Sequence, residues 1–165
     1  MMKKTLGLAV MMLTVGGVVN AATELGTIGV EIENQAITLV NEAGLNFGTV
    51  LPFGRDGWIS VDPNGSAFPH NVHLSDPSLV SASRWSVTGV PGAPFNVVLP
   101  PNNSVSVSNG SETMQVDTFG RSGPSTITMD AAGNASFNVG ATLRVGANQP
   151  QGAYSGTFEV TVAYN

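Results

Sequence analysis

Residues 154–165, with the sequence YSGTFEVTVAYN, decide the fold class of this chain. Their apolar side chains all fall on one parity of the sequence: Phe158, Val160, Val162 and Tyr164. An alternation with a period of two predicts a β-strand with one face in a core and the other in water. Because chain ends usually fray, we expect a strand this strongly patterned to be central to a sheet.

The rest of the composition also favours strands over helices. The chain has 165 residues, enough for one domain with a sizeable core, and it contains 20 glycines, 10 prolines and no cysteine. About ten short apolar runs separated by turn residues predict a β-sandwich. We expect strands at 36–40, 45–51, 58–61, 85–89, 95–99, 105–107, 114–119, 125–129, 135–139, 142–147 and 154–165, turns at 41–44, 62–65 and 130–134, and a long loop or irregular edge at 66–82.

The first 21 residues have the three-part pattern of a secretory signal peptide. Lys3 and Lys4 precede an apolar run at 6–19, and small residues at 19–21 form a cleavage site. Its removal leaves four arginines against eleven acidic residues, a net charge of −7. An exported chain with this charge has no basic surface to neutralise phosphates, so we expect no nucleic-acid partner. The apolar run is too short to predict insertion into a membrane.

Residues 22–34 have their own apolar pattern. Ile28, Val30 and Ile32 share one parity, whereas the next apolar pair, Ile37 and Leu39, has the opposite parity. Because a strand cannot change faces without a bulge or a bend, we expect a break near 33–35. Residues 22–34 are therefore predicted to be an extended arm of roughly 40 Å, at about 3.3 Å per residue, and residues 35–165 to be the domain.

Four sequence motifs resemble a known family. They are the segments at 45–48 (LNFG), 85–92 (WSVTGVPG), 139–143 (VGATL) and 152–165, which has the pattern GxYSGxFxVxVxYN. Together they are similar to a family of exported bacterial domains of unassigned function, which itself resembles the archaic chaperone–usher pilins and the spore-coat-U-like subunits. The resemblance covers most of 36–165. Many such pilins carry a disulfide, which this chain lacks.

The resemblance implies an immunoglobulin-like β-sandwich that is missing its last strand and carries an N-terminal donor-strand arm. A periplasmic chaperone would first fill the gap, and the arm of the next subunit would replace it at an outer-membrane usher, giving a head-to-tail fimbria on the cell surface. The implied donor residues are Leu25, Ile28, Val30 and Ile32. The implied acceptor residues are Phe158, Val160, Val162 and Tyr164; Tyr164 and the Asn165 carboxylate would also dock the chaperone. No enzyme activity and no cofactor are expected.

The residues themselves favour the same function. The given sequence stops at a patterned strand, so we expect no later strand to cover its apolar edge, which would otherwise invite aggregation. An alternative remains open: a self-complete, secreted β-sandwich binding module, with carbohydrate as one candidate ligand, whose arm folds back on its own edge. A monomer that resists heat without a chaperone would indicate the module, and ladders of SDS-resistant oligomers would indicate the pilin.

Other chemistry has little support in the sequence. His70, His73 and Asp76 are of metal-ligand type, but their spacing does not bring them together on a strand or loop, and solvated histidines are the favoured interpretation. No nucleophile elbow of a hydrolase is present. Trp58 and Trp85 could stack on a sugar, although tryptophans of a sandwich are more often buried.

Overall fold

The computed structural model describes residues 28–31 and 36–165, and every regular element in them is a β-strand. The chain divides into two compact units, Met1–Glu33 and Asn34–Asn165. In the first unit, residues 28–31 form no regular strand, and Ile28 and Val30 are exposed. The predicted signal peptide, Leu25 and Ile32 lie outside the described residues. Within the described part of the chain there is no helix of the length and hydropathy needed to span a membrane.

The described part of the second unit contains a succession of short strands. They are β1 (Thr38–Ala43), β2 (Asn46–Pro52), β3 (Gly57–Val61), β4 (Ala67–His70), β5 (Val72–Ser81), β6 (Ser83–Thr88), β7 (Pro94–Val98), β8 (Val105–Ser108), β9 (Thr113–Arg121), β10 (Ile127–Thr128), β11 (Asn134–Val145) and β12 (Thr161–Tyr164).

These strands form three antiparallel sheets. The largest has the order β1-β6-β11-β3-β4, and β9 joins it by pairing with β11 while β8 pairs with β9. The second has the order β10-β7-β12, and the third is the ribbon of β2 and β5. The two smaller sheets pack on the large one, which confirms the predicted all-β sandwich.

Two apolar clusters fill the sandwich. The first core lies between the large sheet and the β10-β7-β12 sheet, and its buried members are Val87, Phe95, Ile127, Met129, Phe137, Val139 and Val160. The second core lies between the large sheet and the β2-β5 ribbon, and its buried members are Ile59, Val72, Val116, Ala141, Leu143 and Val145. Phe119 packs against both clusters and joins them.

The two predicted turns that begin with aspartate are confirmed, and they are built alike. The Asp62 carboxylate accepts hydrogen bonds from the backbone N–H groups of Asn64 and Ser66, at 2.9 and 2.8 Å. The Asp130 carboxylate accepts the equivalent pair from Ala132 and Asn134, both at 2.8 Å. In each turn a glycine supplies the positive φ that the chain reversal requires.

Of the two alternatives predicted for 66–82, the long loop is wrong and the edge is confirmed, because this region forms β4 and β5 at the edges of their sheets. Among the described residues β4 pairs only with β3, and β5 pairs only with β2. Each strand contains a proline, Pro69 and Pro77, which edge strands tolerate because their outer N–H groups need no partner. The prolines and the polar residues between them hid the strand pattern in the sequence.

The strands expected at 135–139 and 142–147 are one continuous strand, β11. Gly140 lies at its middle, between the two strands expected from the sequence. A Cβ at this position would overlap the backbone oxygen of Val61. The glycine therefore permits a close approach of the chain between Val61 and Asp62 and does not interrupt the strand.

The strand expected at 154–165 is regular only over β12, Thr161–Tyr164. The predicted alternation of burial is present, since Val160 is 9% exposed and Thr157, Glu159 and Thr161 on the other parity are exposed. Residues 156–160 nevertheless have no strand partner among the described residues. The turn expected at 41–44 is also shifted, because β1 continues to Ala43.

Candidate functional site

The second core is open along one side. A cleft of about 840 Å³, here called the open groove, lies between two rims formed by residues 45–52 and residues 149–158. Its floor is apolar and consists of Val105, Val107, Met114, Val116, Leu143 and Val145. Val116 and Leu143 are only 3% and 5% exposed, whereas Val105, Val107 and Met114 are half-buried. The floor is thus a part of the core that remains accessible.

Both rims have unused capacity for backbone pairing. On the first rim, β2 pairs along one edge with β5, and its other edge has no partner among the described residues. On the second rim, Ser155 exchanges two backbone hydrogen bonds with Ser108, at 2.8 and 3.0 Å, but the next five residues have no described strand partner. Unpaired edges of this kind are templates for the addition of a strand.

None of the described residues that line the open groove carries a charge. The sequence contained a signal for this feature, because residues 43–54 and residues 145–158 are both free of charged side chains. These two runs contain the two rims. An uncharged groove with an apolar floor favours an occupant that presents uncharged side chains to the protein.

The chain segments that flank the groove are tied to each other beyond both of its ends. Near Gln149, the Ala147 N–H donates a hydrogen bond to the Asp56 carboxylate at 2.9 Å. Beyond Phe158, the tie is made by Tyr164. Its hydroxyl accepts a hydrogen bond from the Val90 N–H at 2.8 Å and donates one to the Ala36 carbonyl at 3.1 Å. A Cβ at Gly89 would overlap this hydroxyl, so the contact requires glycine there. Residues 36–52 run away from the contact and residues 149–164 run toward it, so the two segments that flank the groove are antiparallel.

The predicted acceptor residues are distributed over both cores. Phe158 lines the open groove and also packs against the first core. Val160, Val162 and Tyr164 pack against the first core only, and Asn165 is exposed, with its N–H 3.3 Å from the Pro94 carbonyl. Reasoning from the sequence therefore found one residue of the open groove and missed the β2 rim and the floor. Of the predicted donor residues, Ile28 and Val30 are described and exposed.

The structure does not bring the candidate metal ligands together. His70 lies in β4, stacked on Trp58 with ring centroids 5.2 Å apart. His73 lies in β5 opposite Leu51, and the Asp76 carboxylate accepts a hydrogen bond from the Ser78 N–H at 3.0 Å. No group of three potential ligands that could hold a metal ion occurs in the part of the chain that the structure describes.

The two tryptophans have different surroundings. Trp85 packs against the first core, with its ring 6.0 Å from that of Phe158 in an edge-on arrangement, and its buried indole N–H has no hydrogen-bond partner among the described residues. Trp58 is half-buried, and one face of its ring is covered by His70. The Trp85 ring is therefore not presented as an open platform for a sugar.

The ion pair among the described residues lies outside the open groove. The Arg144 guanidinium donates two hydrogen bonds to the Asp117 carboxylate, at 2.9 and 3.2 Å. These bonds hold the pKa of Asp117 below its usual value, and a further hydrogen bond from the Thr118 hydroxyl acts in the same direction. Asp117 is buried and Arg144 is half-exposed, so the pair fixes β9 against β11.

The strands and the groove define an all-β sandwich domain with one open apolar side. Residues 37–164 match the family described as a domain of unknown function (DUF4402), so the chain belongs to that family. No curated protein matches the chain, and no solved structure matches it either.

Proposed function

We propose that the protein is a structural subunit of a bacterial surface pilus and polymerises by placing residues 22–34 in the open groove of a second copy. The observation that carries the proposal is the groove itself, with an apolar floor between two rims, each of which keeps backbone groups that have no strand partner among the described residues. A strand added there would complete the second core.

The arm has the pattern that such a strand needs. In β-strand addition, backbone hydrogen bonds supply affinity, and alternate side chains fill pockets. Ile28, Val30 and Ile32 would face the uncharged floor, while Glu31 and Glu33 would face water. Burial of the three aliphatic side chains would contribute about 5–8 kcal/mol before the cost of ordering the arm.

Each joint would use the arm of one copy and the groove of the next. Because these are two different surfaces, each added copy leaves another groove or arm unused. An interface of this kind generates a filament. Until the next arm arrives, the unpaired rims would expose the subunit to aggregation. We therefore propose a periplasmic chaperone as the first occupant of the groove, an outer-membrane usher as the site of exchange, and the cell surface as the final location.

Deletion of residues 22–33 from the mature chain tests whether the arm is the donor. The shortened subunit should accept an arm but should not donate one, so it should end growing polymers and form no long filament. Electron microscopy and native mass spectrometry would measure polymer length. Long filaments of the deleted subunit would show that donation by the arm is wrong.

Substitution of three residues tests which face of the arm enters the groove. The variant Ile28→Asp, Val30→Asp, Ile32→Asp should be exported but should not polymerise, because charged side chains would meet the uncharged floor. The matched control, Glu31→Gln with Glu33→Gln, alters the opposite face and should polymerise normally. Equal polymerisation of both variants would reject the arm as the donor strand, and a heat-resistant monomer of the unaltered chain would favour the self-complete binding module.

A further inference from the structure

The large sheet carries a row of side chains that neither core uses. Trp58 pairs with His70 on one neighbouring strand and with Arg144 on the other. Residues directly opposite each other in antiparallel strands point to the same side of the sheet. Ile59 and Leu143, which follow Trp58 and precede Arg144 in the chain, are buried in the second core. Because side chains alternate along a strand, the row faces away from that core.

A cavity of about 560 Å³ opens at this row, and Trp58, His70 and Arg144 all line it. The volume lies within the range of sites that bind small molecules. The rings of Trp58 and His70 are stacked and together form an aromatic wall. Trp58 is half-buried, so part of its indole stays accessible beside His70. None of these three residues lines the open groove.

The polar side chains that line the cavity are held in place by the protein. Arg144 is fixed by its two hydrogen bonds to Asp117. The Asp56 carboxylate accepts a backbone hydrogen bond through Oδ1 at 2.9 Å. The Asn71 amide donates to the Asp56 carbonyl at 3.3 Å, and the Gln115 amide donates to a backbone carbonyl of β8 at 2.8 Å. The cavity is therefore preorganised for a polar ligand.

Each of these side chains keeps one polar atom without a hydrogen-bond partner among the described residues. Three of the atoms are acceptors, namely Asp56 Oδ2, Asn71 Oδ1 and Gln115 Oε1, and one is a donor, Arg144 Nη1. Adjacent hydroxyl groups match such a set, because a hydroxyl both donates and accepts. An anion does not match it, because the charge of Arg144 is already paired with Asp117 and Asp56 adds a negative charge.

We propose that this cavity is a binding site for a neutral saccharide. The C–H face of a sugar ring would pack on the aromatic wall, and its hydroxyl groups would bond to the four free polar atoms. The site does not depend on the proposed function, since its aromatic wall and Arg144 lie outside the open groove. In a filament it would be repeated in every copy, so that weak single sites would give strong adhesion.

The first test asks which class of glycan the protein binds. The probe is a printed array of neutral and acidic oligosaccharides, read with the labelled mature chain. It would be read again with the arm-defective acceptor, which is the mature chain that carries Ile28→Asp, Val30→Asp and Ile32→Asp. Both proteins should bind the same neutral glycans, because the arm is not part of the site. Calorimetric titration of the arm-defective acceptor would then give the affinity of a single site.

Two substitutions alter different parts of the cavity. Trp58→Ala removes the larger ring of the aromatic wall and should weaken glycan binding tenfold or more. Asp56→Asn keeps the oxygen that the Ala147 N–H requires and replaces only the free oxygen by a donor. It should weaken binding about tenfold and leave the unfolding temperature unchanged, so it tests the site even if Trp58→Ala fails to fold.

The matched control is Phe68→Ala. Phe68 is 54% exposed and lies in β4 two residues before His70, but it does not line the cavity. Its truncation should leave the affinity unchanged. Binding of no neutral glycan, or a preference for acidic glycans over their neutral parents, would overturn the inference. So would a glycan whose affinity is the same for Trp58→Ala, Asp56→Asn and the unaltered site. These results leave the proposed function to be judged by polymerisation alone.

Discussion

The two cores of the sandwich are both apolar clusters between sheets, but the first core is closed and the second is accessible through the open groove. In the first core, β12 lies beside β7, Phe95 is fully buried, and Val160 is 9% exposed. In the second core, residues 156–160, which precede β12, have no described strand partner. The floor residues Val105, Val107 and Met114 remain half-buried. The same C-terminal segment thus closes one core and forms the rim of an opening into the other.

This difference separates the source of stability from the source of association. A closed core contributes its burial to the folding of a single chain. In an open core, part of the apolar surface stays accessible in the subunit. Under the proposed function, that surface is removed from water only when a strand is added, so its burial contributes to association. Substitutions in the first core should therefore change the stability of the subunit, and substitutions in the floor of the groove should change mainly its affinity for the arm.

The largest effect is expected for Phe95→Ala in the first core. Phe95 is fully buried among side chains of both sheets, and its truncation should lower the free energy of unfolding by about 3–5 kcal/mol. Urea denaturation of the mature chain, followed by tryptophan fluorescence, would measure the loss. A loss below that caused by Val107→Ala would contradict the assignment of stability to the first core.

Tyr164→Phe should have the next largest effect, because it removes the hydroxyl that joins the C-terminal segment to Ala36 and Val90. The Val90 N–H and the Ala36 carbonyl would each lose a partner. The expected cost is about 1–3 kcal/mol of unfolding free energy. Thermal unfolding would measure it, and an unchanged unfolding temperature would contradict the role of this hydroxyl.

Val107→Ala tests the comparison of the two cores in the second core. Val107 is half-buried in the floor of the groove, so its truncation should cost the isolated subunit little stability. It should weaken capture of the 22–34 peptide by about 1 kcal/mol, or roughly fivefold, because two methyl groups of the binding surface are lost. Calorimetric titration of the arm-defective acceptor would measure this, and a change in stability without a change in affinity would contradict it.

The smallest effect concerns Asp117, which lies outside both cores. Because its pKa is lowered in the folded domain, its ionised form stabilises the fold. That contribution is present above the unfolded pKa of about 3.9 and is lost as the pH falls through the lower pKa of the folded state. Asp117→Asn should cost about 0.2–1 kcal/mol at neutral pH, given the exposure of Arg144, and less near pH 2. Glu112→Gln is the control for thermal unfolding at the two pH values.

Period-two patterning was sufficient to predict the all-β class and most strands, because a half-buried strand must alternate. It failed in two edge strands that contain proline and at one glycine of the buried strand β11. Pro69 and Pro77 concealed β4 and β5, and Gly140 looked like a break although it serves close contact between strands. In each case the proline or the glycine is accommodated by the way its strand packs beside a part of the chain that is not adjacent in sequence.

The candidate site was predicted only in part for the same reason. The parity of Phe158 marked it as an inward residue, but parity does not state which core the residue faces. The opposite rim, β2, lies more than a hundred residues earlier in the chain, and only the pairing of the sheets brings it to the groove. The uncharged runs at 43–54 and 145–158 were visible in the sequence and, taken together, mark both rims.

Hydrogen exchange of the backbone amides tests the central claim most directly. The arm-defective mature chain would be compared with and without the 22–34 peptide. We predict that added protection will be concentrated on residues 46–52 of the first rim and on residues 156–160, which begin within the second rim, because a seated strand would pair with each of them. The amides of β7 in the first core should not change. Protection of one rim only, or of neither, would contradict the claim that the fold is completed by a strand from another copy.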